Sequence, residues 1–299
     1  MFALDTNLLM YPGPRRLLSG IALDTDQSVG VLPVVQQEMV DNRKIAIAET
    51  RRWKNKIRRA SVTSIIDEDL VIEMIQPVVK DWFQNVFLQA RPYIPLLIDD
   101  RDSHQVDRVA FSIPRSAFHG LRTEADRRMI GEAVYLNVPL FGSHDTTSIT
   151  HKEINDWAHT KGYNAPLIRS PSELIFDLCE NDIHTAYQWV MAFNSNRDDL
   201  THVDNKIAFL NTLNAVGRSG FDEEHMGLNT LISKLKARLD IDETFQDTFE
   251  QAIQKHIKIR RQVMEIEHAL VQCVNKQILP YEQSLTHDLQ QTNTASGRS

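Results

Sequence analysis

The first ten residues constrain this chain most. Phe2, Ala3 and Leu4 lead straight into Asp5, and Thr6, Asn7, Leu8, Leu9 and Met10 follow. A short apolar run ending in an acid reads as a buried strand whose last side chain emerges at the carboxyl edge of a sheet. In open α/β sheets that edge is where ligands bind. An acid there, with two hydrogen-bonding neighbours to orient it, suits a hard cation. An acid there can equally end the strand and cap the next helix. The stretch alone does not choose between these roles.

Three further acids sit in matching contexts. Glu38 lies in VLPVVQQEMV, where an apolar run turns at Pro33 into a helix carrying the acid on its second turn. Asp126 lies in RTEADRRMIGEAVYL, at the start of a helix leading to the apolar run VPLFG. Asp145 follows that run in FGSHDTTSI, just past the end of a strand. Thr123 has its own structural use here, because Thr-x-x-Asp is a helix-capping pattern.

This pattern resembles the PIN-domain nucleases, whose motifs run strand-DTN, helix-Glu, helix-Asp with small residues behind it, then strand-[ST]-x-D. The matching residues are Asp5-Thr6-Asn7, Glu38, Asp126 with Gly131 and Ala133 behind it, and Ser143-His144-Asp145. The resemblance covers roughly residues 1 to 175. It implies a three-layer α/β/α fold around a mostly parallel sheet, and one or two Mg2+ or Mn2+ ions. Asp5, Asp126 and Asp145 would be the main ligands, and Glu38 would place the second ion or the attacking water. Thr6, Asn7 and Ser143 would orient the acids from behind. The implied reaction is hydrolysis of phosphodiesters in single-stranded or looped RNA to 5′-phosphate and 3′-hydroxyl ends, by a toxin-like or RNA-processing enzyme. DNA remains an open substrate.

The chemistry agrees with that grouping. Carboxylates a few ångströms apart raise one another's pKa, so a bare cluster is unfavourable. A hard divalent cation relieves the conflict and takes oxygen ligands. Two other classes compete. A phosphatase of the haloacid-dehalogenase type also opens with a strand-end Asp, but needs a second Asp two positions on, where this chain has Asn7. A PIN fold that binds nucleic acid or a partner without cutting would not need all four acids.

Charge bears on the substrate. Lys and Arg total 33 against 40 Asp and Glu, a net charge of -7. Yet Arg43, Lys44, Arg51, Arg52, Lys54, Lys56, Arg58 and Arg59 fall in one stretch whose sole acid is Glu49. Trp53 and Ile57 are spaced to face inward while the basic residues face out. A local basic face on an acidic protein is the footprint expected for phosphate binding, though solvated charged faces are also common. The two cysteines form no CxxC pair, which suits a reducing cytosol. No signal sequence or membrane-length apolar run stands out, so a cytoplasmic protein is expected.

Along the chain, Tyr11-Pro12-Gly13-Pro14 reads as a break before a short helix. A brief strand within 28–33 precedes the Glu38 helix, which is expected to continue to about Arg59. Leu70, Met74, Val78, Trp82 and Val86 mark an amphipathic helix over 68–90. A polar connection then runs from Pro92 to about Gly120, read as an irregular flap. Strands over 138–142 and 166–168 flank a helix over 151–162, with Gly162-Tyr163-Asn164 as the turn.

Beyond Pro171 the spacing is helical throughout. The last helix, about 243 to 278, carries a seam of Phe245, Phe249, Ala252, Ile259, Val263, Ile266, Leu270 and Cys273, with His256 and Gln277 at polar seam positions. Burial against the chain's own helices is the simpler use of that seam; a homo-oligomer, inhibitor or partner protein is the other. Pro280 is expected to end the helix. The domain reading is 1–172 for the nuclease-like part, 173–290 for a helical part and 291–299 for a disordered tail.

Overall fold

The computed structural model describes residues 1–299 except Tyr11, 59–65, 120–122, 145, 147–148, 181, 183–184, 187, 190–244 and 297–299. Two compact units emerge, each assembled from two segments: Met1–Gln37 with Arg91–Met264, and Glu38–Ala90 with Glu265–Ser299.

The first unit is α/β. Its parallel strands are β1 (Phe2–Leu4), β2 (Val29–Val31), β3 (Tyr93–Pro95), β4 (Leu140–Gly142) and β5 (Leu167–Arg169). Their order is β3-β2-β1-β4-β5. Phe2, Ala3 and Leu4 are fully buried, as a central strand covered on both faces requires. The chain steps outward from β1 through β2 to β3, then returns to lay β4 on the other side of β1. The winding therefore reverses between β1 and β4, and such a reversal opens a crevice at the carboxyl ends of the strands.

Helices fill the connections: α1 (Thr6–Met10), α2 (Pro12–Asp24), the start of α3 (Pro33–Asp41), α6 (Ser103–Ser112), α7 (Thr123–Tyr135), α8 (His151–Lys161) and α9 (Pro171–Leu178). The expected break at 11–14 is a junction of two helices, since proline fits the first turn of α2. Gly162 closes α8 at φ 72°, the left-handed cap expected of it. The 92–120 stretch is not an irregular flap: it supplies β3 and α6. Prolines at 92 and 95 read as punctuation, yet β3 is an edge strand, where proline is tolerated. Val106, Val109 and Ala110 bury the inner side of α6, which packs along α7.

The second unit contains the end of α3, then α4 (Lys44–Arg58), α5 (Glu68–Trp82), a π turn at Phe83–Phe87 and the later part of α10 (Phe245–Ser296). The Glu38 helix does not run on to Arg59. It stops at Asp41, and the Asn42 side chain accepts a 3.0 Å bond from Lys44 N–H to begin α4.

On α5 the buried row is Val71, Ile75, Val79 and Trp82, whereas Leu70 is 43 % exposed. Apolar residues fill two adjacent rows there, so four-residue spacing could not select between them. The π turn then carries Phe83 and Phe87 inward, stacked at 5.2 Å.

The last helix runs on through Pro280 to Ser296, past its expected end. Pro280 is exposed, so the backbone bond it removes is open to water. Val263, Glu267, Leu270, Val274, Ile278 and Leu285 are buried along this helix, while Ile266 and Cys273 are half-buried and Gln277 is exposed. Beyond Val263 the seam keeps Leu270 but takes Glu267, Val274 and Ile278 in place of Ile266, Cys273 and Gln277. His256 is buried, as its seam position predicts. Within the second unit, Trp82 donates its indole N–H to Ile266 O at 2.7 Å, and the Trp53 ring lies 6.0 Å from that of Tyr281. The seam there is engaged by the chain's own helices. Expected seam side chains Phe245, Phe249 and Ala252, and helix-spaced positions from Val190 to Leu239, lie outside the described residues. Among the described residues, no helix is long and apolar enough to cross a membrane.

Gly131 of α7 faces Ala110 of α6 so closely that an added Cβ would sit 2.6 Å from the Ala110 Cβ and 2.7 Å from its Cα. Backbone cannot yield as a side-chain tip does. Gly131→Val should therefore lose about 2 kcal/mol in urea unfolding through overpacking. An unchanged midpoint would mean that the two helices do not meet at this point.

Candidate functional site at the carboxyl edge

Asp5 is the first residue beyond β1. Its N–H donates to Gly142 O at 2.8 Å, extending the pairing with β4. Its carbonyl accepts from Leu8 and Leu9 N–H at 3.0 and 3.3 Å, which starts α1. The side chain is 6 % exposed, and each of its oxygens has a partner. Oδ1 accepts from Asn7 N–H at 3.2 Å and Oδ2 accepts from the Ser143 hydroxyl at 2.6 Å. Asp5 thus ends the strand, caps the helix and is tied to β4. Asn7 orients it through the backbone, and Thr6 beside it is buried.

Ser143 is fully buried one residue beyond β4, and its N–H donates to Arg169 O of β5 at 2.9 Å. Gly142 makes this close fit possible: a Cβ there would lie 2.5 Å from Leu174 Cδ2 and 3.0 Å from Leu4 Cδ2. The bond from Ser143 to Asp5 therefore joins the ends of β1 and β4 where the sheet reverses its winding. His144 follows, buried, with its imidazole pushed down to about 4 by desolvation and so neutral at ordinary pH.

Asp126 reaches the same edge by topology. The carboxyl end of α7 enters β4 at its amino end through residues 136–139. The first turn of α7, which holds Asp126, must then lie toward the carboxyl ends of the strands. Asp145 falls outside the described residues, and Glu38, on the second turn of α3, belongs to the second unit. Among the described residues no three His, Cys, Asp or Glu side chains gather as a metal-holding group. What the edge does present is oxygen chemistry. A carboxylate oxygen can accept more than one bond, and Mg2+ keeps several waters while needing only one or two carboxylates.

The arginines following Asp126 are structural. Arg127 is buried, and its Nη2 donates to Phe111 O at 2.6 Å and Ile113 O at 3.0 Å, closing the end of α6. Arg128 pairs with Asp107 of α6 and donates its Nε to Glu132 at 3.2 Å.

Glu132 is the acid that sequence reasoning passed over. It is 1 % exposed, and its Oε2 accepts from Val34 N–H at the start of α3 at 2.9 Å. One signal was available: Arg128 and Glu132 are spaced i,i+4, a pair that meets on a helix surface. Burial raises the Glu132 pKa above the usual 4.5, against the lowering by Val34 N–H and Arg128.

On α4 Ile45, Ala46, Thr50 and Trp53 are buried, whereas Arg51 and Arg52 are exposed; the Ile57 side chain, also expected inward, lies outside the described residues. Several of the cations have acidic neighbours. Arg43 lies 3.8 Å from Glu73, Arg52 lies 2.6 Å from Glu49, and Lys54 pairs with Glu68. Lys44 is exposed, and the side chains of Lys56, Arg58 and Arg59 lie outside the described residues.

Among known proteins, no family model, no curated protein and no solved structure matches this chain.

Glu132→Ala leaves Val34 N–H and the Arg128 Nε–H without an acceptor, while Arg128 keeps Asp107, and should cost about 1–3 kcal/mol. Glu132→Gln keeps an acceptor and should cost less. The pH dependence has a definite sign. A raised pKa means the folded state holds the proton more tightly than the unfolded chain. The contribution of this group is full below its usual 4.5 and is lost as pH rises through the folded value. Denaturant melts across that range should show Glu132→Gln gaining on wild type as pH rises. A parallel pair of curves would show that the carboxyl is not perturbed.

Proposed function

We propose that this chain is a divalent-metal-dependent endoribonuclease of PIN-like architecture, cutting RNA phosphodiesters to leave 5′-phosphate and 3′-hydroxyl ends. One observation carries the reading: Asp5 is held by Ser143 at 2.6 Å where the winding of the parallel sheet reverses. Ligand sites in open α/β sheets lie at such points. Asp126 at the start of α7 and Asp145 two residues beyond Ser143 supply further carboxylates in the order the PIN resemblance requires.

In this reading Asp5, Asp126 and Asp145 hold the ion, and the Ser143 hydroxyl and Asn7 N–H keep the Asp5 carboxylate in one orientation. Bound Mg2+ or Mn2+ supplies a lowered water pKa and charge neutralisation for an in-line displacement. Glu38 and the exposed cations of α4 lie in the second unit. The role of Glu38 toward the water rests on the resemblance alone, and that of the cations toward phosphate on their sequence pattern alone. RNA is preferred to DNA on the resemblance alone.

Purified protein should cleave labelled single-stranded RNA with Mn2+ and not in EDTA. Asp5→Asn and Asp145→Asn should each lower the rate at least about 100-fold, the scale on which one positioned electrostatic group matters, with an unchanged circular dichroism spectrum. Undiminished cleavage in either variant, or in EDTA, would sink the proposal.

A further inference from the structure

The outer face of α6 carries chemistry that the four acids do not use. Phe111, on its last turn, is 60 % exposed. Arg108, three residues earlier and so on the same face, is exposed and makes no hydrogen bond or ion pair among the described residues. Arg115, just beyond the helix, is exposed and meets Glu124 at 2.9 Å, a surface pair of small net strength. Lone exposed apolar side chains are common and by themselves mean little.

Phe111 differs in how it is held. The Arg127 guanidinium lies 5.6 Å from its ring centroid and donates to its carbonyl at 2.6 Å. That arginine is buried and directly follows Asp126 on the first turn of α7. The ring thereby touches the turn that carries a candidate site acid, at the carboxyl edge of the sheet.

We infer that Phe111 and Arg108 form a subsite for single-stranded nucleic acid beside Asp126, Phe111 stacking on an unpaired base and Arg108 meeting the adjoining phosphate. The charge argument favours this occupant: Arg108, without an ion-pair partner among the described residues, stands on the same helix face as the ring, as a phosphate backbone with exposed bases requires. A paired duplex offers no free base face to the ring. The inference rests on the nuclease reading and deepens it by naming two residues that would hold an unpaired base and its phosphate.

The test is binding of a fluorescein-labelled single-stranded RNA in EDTA, followed by cleavage with Mn2+. Phe111→Ala and Phe111→Leu should each weaken binding about 5- to 100-fold, the range found for loss of one stacked base. Phe111→Trp should bind about as well as wild type. Arg108→Ala should weaken binding and flatten the salt dependence by about 0.7 in slope. Hairpin-free duplex RNA should bind all these proteins alike. Arg108→Ala and Phe111→Trp should keep the wild-type melting temperature, and Phe111→Ala should lose no more than the ring contact with Arg127 contributes. Wild-type cleavage together with unchanged single-strand binding in Phe111→Ala and Arg108→Ala overturns the subsite and leaves the nuclease reading standing. Phe111→Leu binding as well as Phe111→Trp replaces stacking with a plain apolar contact and also overturns it. Wild type that neither binds nor cleaves RNA or DNA overturns both readings.

Discussion

The hydrogen bond from the Ser143 hydroxyl to Asp5 joins residues 138 positions apart, and much of the first unit serves to make it possible. It requires β1 and β4 to be neighbours, which requires the winding to reverse between them. It is favoured by Gly142, because a side chain there would push on the tips of Leu174 and Leu4. Bonded to a carboxylate in a buried setting, it is worth about 1.5–3 kcal/mol. That is enough to hold one rotamer of Asp5 and too little to fix the sheet unaided. The fold places the acid; the bond orients it.

Charges elsewhere divide into those that build and those that remain available. Arg127 and Arg128 follow Asp126 in sequence and would pass for phosphate-binding residues. One closes the end of α6, and the other is held between Asp107 and Glu132. Glu132 in turn meets the amide at the start of α3, where the helix dipole favours an anion. These contacts lock α7 between α6 and α3, and so fix the turn on which Asp126 stands. On α4, ion pairing to Glu49, Glu68 and Glu73 lowers the net positive field below what the run of Lys and Arg implies. An interface with phosphate there would depend on exchanging surface pairs, which cost little to open.

How far the sequence could be read depended on how local each signal was. β1, β2, β4 and β5 were legible because apolar runs bounded by polar or turn residues need no distant partner to be recognised. β3 was not, since its prolines look like a break until its place at the sheet edge is known. The inward face of α5 was misplaced by one residue because Leu70/Val71, Met74/Ile75 and Val78/Val79 offer two equivalent rows. Only packing chooses between them. In α10 beyond Val263, Glu267, Val274 and Ile278 likewise take the places expected of Ile266, Cys273 and Gln277. Contacts of Trp82 with Ile266 and of Trp53 with Tyr281 span nearly two hundred residues or more, and no local pattern announces them. At the site, Asp5 and Ser143 were visible through their motifs. Glu132 was hidden because an acid between small residues on a helix looks solvated until its burial is seen.

In the proposed reading the oriented carboxylate at the end of β1 is one arm of a cation site. The most direct measurement is the thermal midpoint of the intact protein, with and without Mn2+, for wild type and Asp5→Asn. A bound ion stabilises the folded state by RT ln(1 + [L]/Kd), about 2.7 kcal/mol at a hundredfold excess over Kd. Wild type should therefore melt several degrees higher with Mn2+, and Asp5→Asn should gain little or nothing. A wild-type midpoint indifferent to Mn2+, or an equal rise in both proteins, would contradict that reading and leave Asp5 as a strand end and helix cap.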